Sequence, residues 1–154
     1  MRTRNTDSRQ GLAAVETALI LPILFILVMA IVEGGNAFSA WLTVQKAAQL
    51  GARFAATGRG EDDGNRLSQI IAATEAGVAT LDQDKVVITI RSWPDLNATG
   101  DGINNDAGAP CTLAEVAVVY NYEPFTPLVS PLLPDSIPLR GYDRKVNEPW
   151  KPCD

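Results

Sequence analysis

Residues 12–32 read LAAVETALILPILFILVMAIV, 21 positions with Glu16 as their one charged residue. As a helix rising about 1.5 Å per residue, this stretch is long enough to cross a bilayer. Arg2, Arg4 and Arg9 precede it, opposed by Asp7 alone, and Glu33 closes the far end. Positive charge stays on the cytoplasmic side, so the N-terminus is expected inside and residues 34–154 outside. A secretory signal peptide is the competing reading, with Ala37-Phe38-Ser39 as its small-residue cleavage site. Its apolar region is ordinarily shorter, about 7–15 residues. A buried core helix would need no basic flank. Two residues do not belong in a passive tether. Glu16 places an acid in apolar surroundings at a cost of about 2.5 kcal/mol or more unless it reaches the interface or meets a cation. Pro22 forfeits a backbone hydrogen bond and favours a kink.

The totals bound what else the chain can do. At 154 residues it has room for an anchor and one modest core. A formal charge of −5 with no basic stripe argues against nucleic acid. The sequence holds no His, which removes His-ligated zinc sites and His-based triads. With no nucleophile elbow and no carboxylate pair in a recognisable setting, nothing supports an enzyme.

Outward from the apolar run, Ala37, Trp41, Val44, Ala48, Ala52 and Ala55 recur at helical spacing. This continues the helix past Gly34-Gly35, which weakens it enough for a bend, to a stop near Thr57-Gly58. The stripe is mostly small, so a flat element such as a sheet can lie close against it. Trp41 suits either a headgroup belt or a core. A polar linker at 58–65 (GRGEDDGN) leads to a second helix over roughly 65–80, with Leu67, Ile70, Ile71, Thr74 and Val78 on one face. Lys85–Trp93 and Glu115–Glu123 alternate as strands, the first with Val86, Ile88 and Ile90 on one face, the second with Val116, Val118, Tyr120 and Tyr122. A third, weaker strand is expected near Ile137–Arg144. Five prolines make 124–138 a turn-rich connection, expected over the membrane-proximal face. The fold class is therefore α+β: a long N-terminal transmembrane helix extending into a small antiparallel-sheet domain.

Two further constellations carry chemistry. From Asp95 to Asp106, oxygen-bearing side chains fall at relative positions 1, 3, 5, 7 and 12 (Asp95, Asn97, Thr99, Asp101, Asp106), with Gly100 at position 6. That spacing makes a candidate Ca²⁺ loop of EF-hand type. Asp106 is shorter than the usual bidentate Glu, and no helix clearly flanks the segment. A solvated strand-to-strand loop rich in turn formers is the reading these residues favour over it. Cys111 and Cys153 are either one disulfide or two bystanders. Export to an oxidising space favours pairing, worth about 4 kcal/mol on the chain-entropy estimate.

Arg9-Gln10-Gly11-Leu12-Ala13-Ala14-Val15-Glu16, followed by the apolar run, resembles the processing site of type IV pilin-like proteins. The wider stretch 10–58, with GLAAVETALILPILFILVMAIVEGGNAF and then VQKAAQLGARFAATG, is similar to the TadE-like pseudopilins of tight-adherence (Tad) pilus systems. The resemblance implies that a prepilin peptidase cuts between Gly11 and Leu12, leaving Glu16 fifth in the mature chain. Loss of residues 1–11 would take the formal charge from −5 to −7. It also implies a pilin-like architecture, a bacterial inner-membrane location and other Tad pilins or pseudopilins as partners. Thr17 stands where the short major pilins of these systems usually have Tyr; with the chain's length, this favours a minor pilin. The expected organisation is a leader at 1–11, a transmembrane helix at 12–33 and an extracytoplasmic domain at 34–154. The alternative function is a membrane-anchored or secreted, calcium-stabilised binding or adhesion module.

Overall fold

A computed structural model describes residues 6–153, with side chains from Gly11 onward. Arg2 and Arg4, and the side chains of Asp7 and Arg9, lie outside the described residues. Helix α1 spans Thr6–Ala56 and α2 spans Arg66–Gly77; the strands are β1 (Val86–Trp93), β2 (Ile103–Asn104), β3 (Leu113–Tyr122) and β4 (Ile137–Val146). The chain divides into two compact units, one of residues 1–37 with 124–135, the other of 38–123 with 136–154.

In the first unit α1 is unbroken through both Pro22 and Gly34-Gly35. The glycine pair weakens the helix by about 1 kcal/mol per residue. Propagation of an already nucleated helix offsets that cost. This unit also includes residues 124–135, which sequence alone assigned to the outer domain. They form successive turns with a 3₁₀ helix at Ser130–Leu132.

In the second unit the long helix packs on a four-stranded antiparallel sheet of order β2-β1-β3-β4. The predicted small-residue stripe is the contact. Val44, Ala48, Ala52 and Ala55 are fully buried, joined by Ala47. Trp41 remains more than a third exposed, beside the Phe38 ring at 5.7 Å. Facing α1, β1 and β3 pair Ile90 with Val116 and Ile88 with Val118. The predicted alternation therefore holds, and Val87, its exception, lies on the open face, 54% exposed. Strand β4 pairs with β3 along its whole length, from Ile137–Tyr122 to Val146–Leu113. It reads weakly in sequence because it is an edge: Pro138 is tolerated there, and Arg140, Asp143, Arg144 and Lys145 are typical edge protection. Gly141 brings β4 against the helix, since a Cβ there would lie 2.9 Å from Gln45 Cα.

Helix α2 stops at Gly77, short of the predicted residue 80; Ile70 and Thr74 within it, and Val78 just past its end, are completely buried. Thr74 belongs to that apolar face because its hydroxyl donates to Ile70 O at 2.8 Å. It also fits where α1 comes closest: a Cβ on Gly51 would lie 2.1 Å from Thr74 Oγ1 and 3.0 Å from Val116 Cγ1. Gly51→Ala should therefore destabilise by about 1–3 kcal/mol through overpacking, although alanine is the better helix former. Urea unfolding of the detergent-solubilised chain reads this as a lowered midpoint. A raised midpoint, which helix propensity alone would give, would show the packing account to be wrong.

The turn after α1 is organised by Arg66, which is 5% exposed. Its guanidinium donates to Ala55 O (2.9 Å), Ala107 O (3.1 Å) and Gly108 O (2.5 Å), and pairs with Glu61 at 3.2 Å. Burial pulls its pKa down, opposed by Glu61 and Asp106, but a guanidinium stays charged in a protein. The Trp150 ring stacks on it at 4.4 Å. That ring fills the space where a side chain on Gly58 (φ +67°) would stand, so the predicted helix stop is also a close approach. The C-terminal tail is held by Asn147, whose Nδ2 donates to Ala107 O and Ala109 O, both at 2.9 Å. Cys111 and Cys153 form the expected disulfide, with Cα atoms 5.8 Å apart.

Candidate functional site

The residues singled out at the start of α1 lie on an open surface. Gly11, Leu12 and Glu16 are all exposed. A Cβ on Gly11 would meet nothing within 4 Å among the described residues, so packing against them does not require glycine there. The Gly11–Leu12 peptide lies inside the helix, and a peptidase that takes an extended strand would have to unwind it locally. Glycine eases that by about 1 kcal/mol against alanine. Four residues on, Glu16 makes no hydrogen bond or ion pair among the described residues, and Thr17 beside it donates back to Ala13 O at 2.9 Å. Further along, Leu19, Ile23 and Ile31 are about two-thirds exposed. This surface has no partner in its own chain among the described residues, as a membrane or a bundle of like helices would require. α1 is the one helix among the described residues long and apolar enough to cross a membrane, consistent with a single-pass anchor.

At the far end of the apolar run the structure adds a site that sequence reasoning missed. Glu33 is 3% exposed. Its Oε2 accepts from Thr126 Oγ1 at 2.6 Å, Thr126 N at 2.9 Å and Phe125 N at 3.3 Å. The acid that looked like a plain boundary charge therefore fastens a segment more than 90 residues later in the chain. The available signal was the pairing of a lone acid after an apolar run with an uncharged, proline-rich stretch elsewhere.

Several residues of the candidate Ca²⁺ loop make contacts within the chain. Asp95 Oδ1 accepts from Thr99 N at 3.1 Å, and that hydrogen bond holds its carboxyl below the usual carboxylate range. Asp101 is exposed. Ile103 and Asn104 form β2, pairing with Ser92 and Arg91. Asp106 accepts from Ser92 Oγ and from Gly108 N. The glycines serve Trp93: its Nε1 donates to Gly100 O at 3.0 Å, and a Cβ on Gly102 (φ +73°) would lie 2.6 Å from its ring. Among the described residues no group of three or more His, Cys, Asp or Glu side chains is placed to hold a metal ion.

The TadE-like protein family model matches residues 11–53, which run from the Gly11 position to the Gly51-Ala52-Arg53 segment under the sheet. No curated protein and no solved structure is matched. Residues 54–154 lie outside the family match, and over residues 11–53, the greater part of α1, the chain is similar to the TadE-like protein family.

Proposed function

We propose that this protein is a minor pilin or pseudopilin that takes part in assembling or initiating a Tad-type pilus. It is held N-in across the bacterial inner membrane by α1 and processed between Gly11 and Leu12. The observation that carries the reading is a coincidence of position. The residues that match the TadE-like family are those of one continuous helix, whose first half leaves its apolar surface and Glu16 open. After processing, the ammonium of a neighbouring subunit's Leu12 is a suitable partner for Glu16, since pairing neutralises both charges in apolar surroundings. The role is structural rather than catalytic, and its partners are a prepilin peptidase and the other pilins of the system.

Sequencing the N-terminus of the mature protein tests this directly. The expected first residue is Leu12. A chain that keeps Met1 was never processed, and one that starts at Ala40 was cut as a secretory precursor. Either result would overturn the pilin-like reading.

A further inference from the structure

Residues 124–134, PFTPLVSPLLP, carry no charge and are bracketed by Glu123 and Asp135. Four of the eleven are prolines, which have no N–H to satisfy. Of the other seven, six have backbone N–H groups that donate inside the first unit. Phe125 and Thr126 donate to Glu33; Val129 and Ser130 to Thr126 O; Leu132 to Val129 O; Leu133 to Ser130 O. A loop in water has no need of this, because water satisfies its donors; a loop in contact with lipid does. The side chains follow the opposite logic to a solvated loop. Phe125, Leu128 and Leu132 are 60%, 48% and 76% exposed, an apolar patch of the kind that marks an interaction surface.

The tether places this patch. Glu33 directly follows residues 12–32, whose 21 residues span about 31 Å as a helix, close to the roughly 30 Å of a bilayer's hydrocarbon core. Glu33 therefore sits at the boundary where α1 leaves the lipid, and its carboxylate holds Thr126 there. We infer that residues 124–134 are a second membrane contact, a collar beside the helix exit that sets Phe125, Leu128 and Leu132 into the headgroup–acyl boundary. The ligand is the lipid surface itself. The segment has no charge, so its contact does not depend on anionic headgroups. The inference rests on the anchor part of the reading above, and not on processing or on pilus assembly.

The test uses the full chain in phosphatidylcholine bilayers at low protein density. A nitroxide is attached at Leu132→Cys or, separately, at Leu24→Cys; the native cysteines are tied up in their disulfide. Collisions with oxygen, which dissolves in lipid, are compared with collisions with a neutral nickel chelate, which stays in water. Both labels are expected to favour oxygen several-fold over a label free in solution, Leu132→Cys less than Leu24→Cys. The ratio at Leu132→Cys should not change when phosphatidylglycerol is added. A Leu132→Cys label open to nickel while Leu24→Cys stays lipid-like overturns the collar and leaves the anchor intact. A Leu24→Cys label open to nickel overturns the anchor, and the collar with it. Protection of Leu132→Cys from both reagents, or spin–spin broadening, would assign the patch to protein contact with a second copy and overturn the lipid assignment.

Discussion

Glu16→Ala should remain inserted in the membrane and cut at Gly11–Leu12, yet reach pili at no more than a tenth of the wild-type level. The reasoning separates three steps. Insertion becomes easier, because an acid within an apolar helix costs about 2.5 kcal/mol or more and alanine does not. The proposed processing site is a peptide bond five residues away on an exposed helix surface, and Glu16 holds nothing in place for it among the described residues. Assembly is the step that loses its charge partner, since the incoming Leu12 ammonium would be left unpaired among apolar side chains. Losing about 1.4 kcal/mol at that contact is already tenfold in an equilibrium, and an unpaired buried charge costs more. Glu16→Gln sharpens the result by keeping the shape and removing the charge; it should fail as well. The measurement is the ratio of protein in sheared pili to protein in membranes, with the mature N-terminus checked in both. Wild-type incorporation of Glu16→Ala would sink the proposed role.

The second large effect is on stability. Arg66→Ala should lower stability by about 3–5 kcal/mol, because three carbonyls would each lose a charged donor at once, Gly108 O keeping none among the described residues while Ala107 O keeps Asn147 and Ala55 O keeps Gly58 N, and Glu61 would lose its ion pair. One of them belongs to Ala55 at the end of α1, so the variant also removes a cap. For a domain of this size each kcal/mol shifts the melting temperature by about 4–8 °C, and the expected fall is therefore at least about 12 °C. Arg66→Lys should recover less than half of the loss. A single ammonium cannot reproduce the planar fork that bridges these carbonyls and stacks on Trp150. Thermal melts in detergent decide the matter, and a fall of less than about 4 °C for Arg66→Ala would show that the guanidinium does not organise this corner. Processing at Gly11 should be unaffected in either variant.

Sequence reasoning reached the elements whose signal is local and periodic. The apolar run, the small-residue stripe from Val44 to Ala55, and strands β1 and β3 all announce themselves by spacing. The Cys pair follows from the compartment. The features that were not legible depend on partners far apart in the chain. Glu33 meets Thr126 across 93 residues, and Arg66 meets Gly108 across 42; local spacing around a charge does not identify so distant a partner. Strand β2 was missed for a different reason. Its two residues lie inside a segment whose oxygens and glycines match a cation loop in spacing, yet here the glycines make room for Trp93. Spacing records which residues are present, and more than one purpose can call for the same glycines. β4 lies between these cases, because the charges and the proline that suit an edge strand are those that lower a strand reading.

The bond between Cys111 and Cys153 closes the chain into a ring that takes in β3, residues 124–135 and β4. Within that ring, residues 124–135 are a connection that a protease could cut without severing a strand. A single cut there would not free either half. Strand β4 would stay paired with β3 and joined to it through sulfur, and the fragment carrying α1 would still carry everything after the cut. The protein can thus remain one covalent piece after being nicked in this connection.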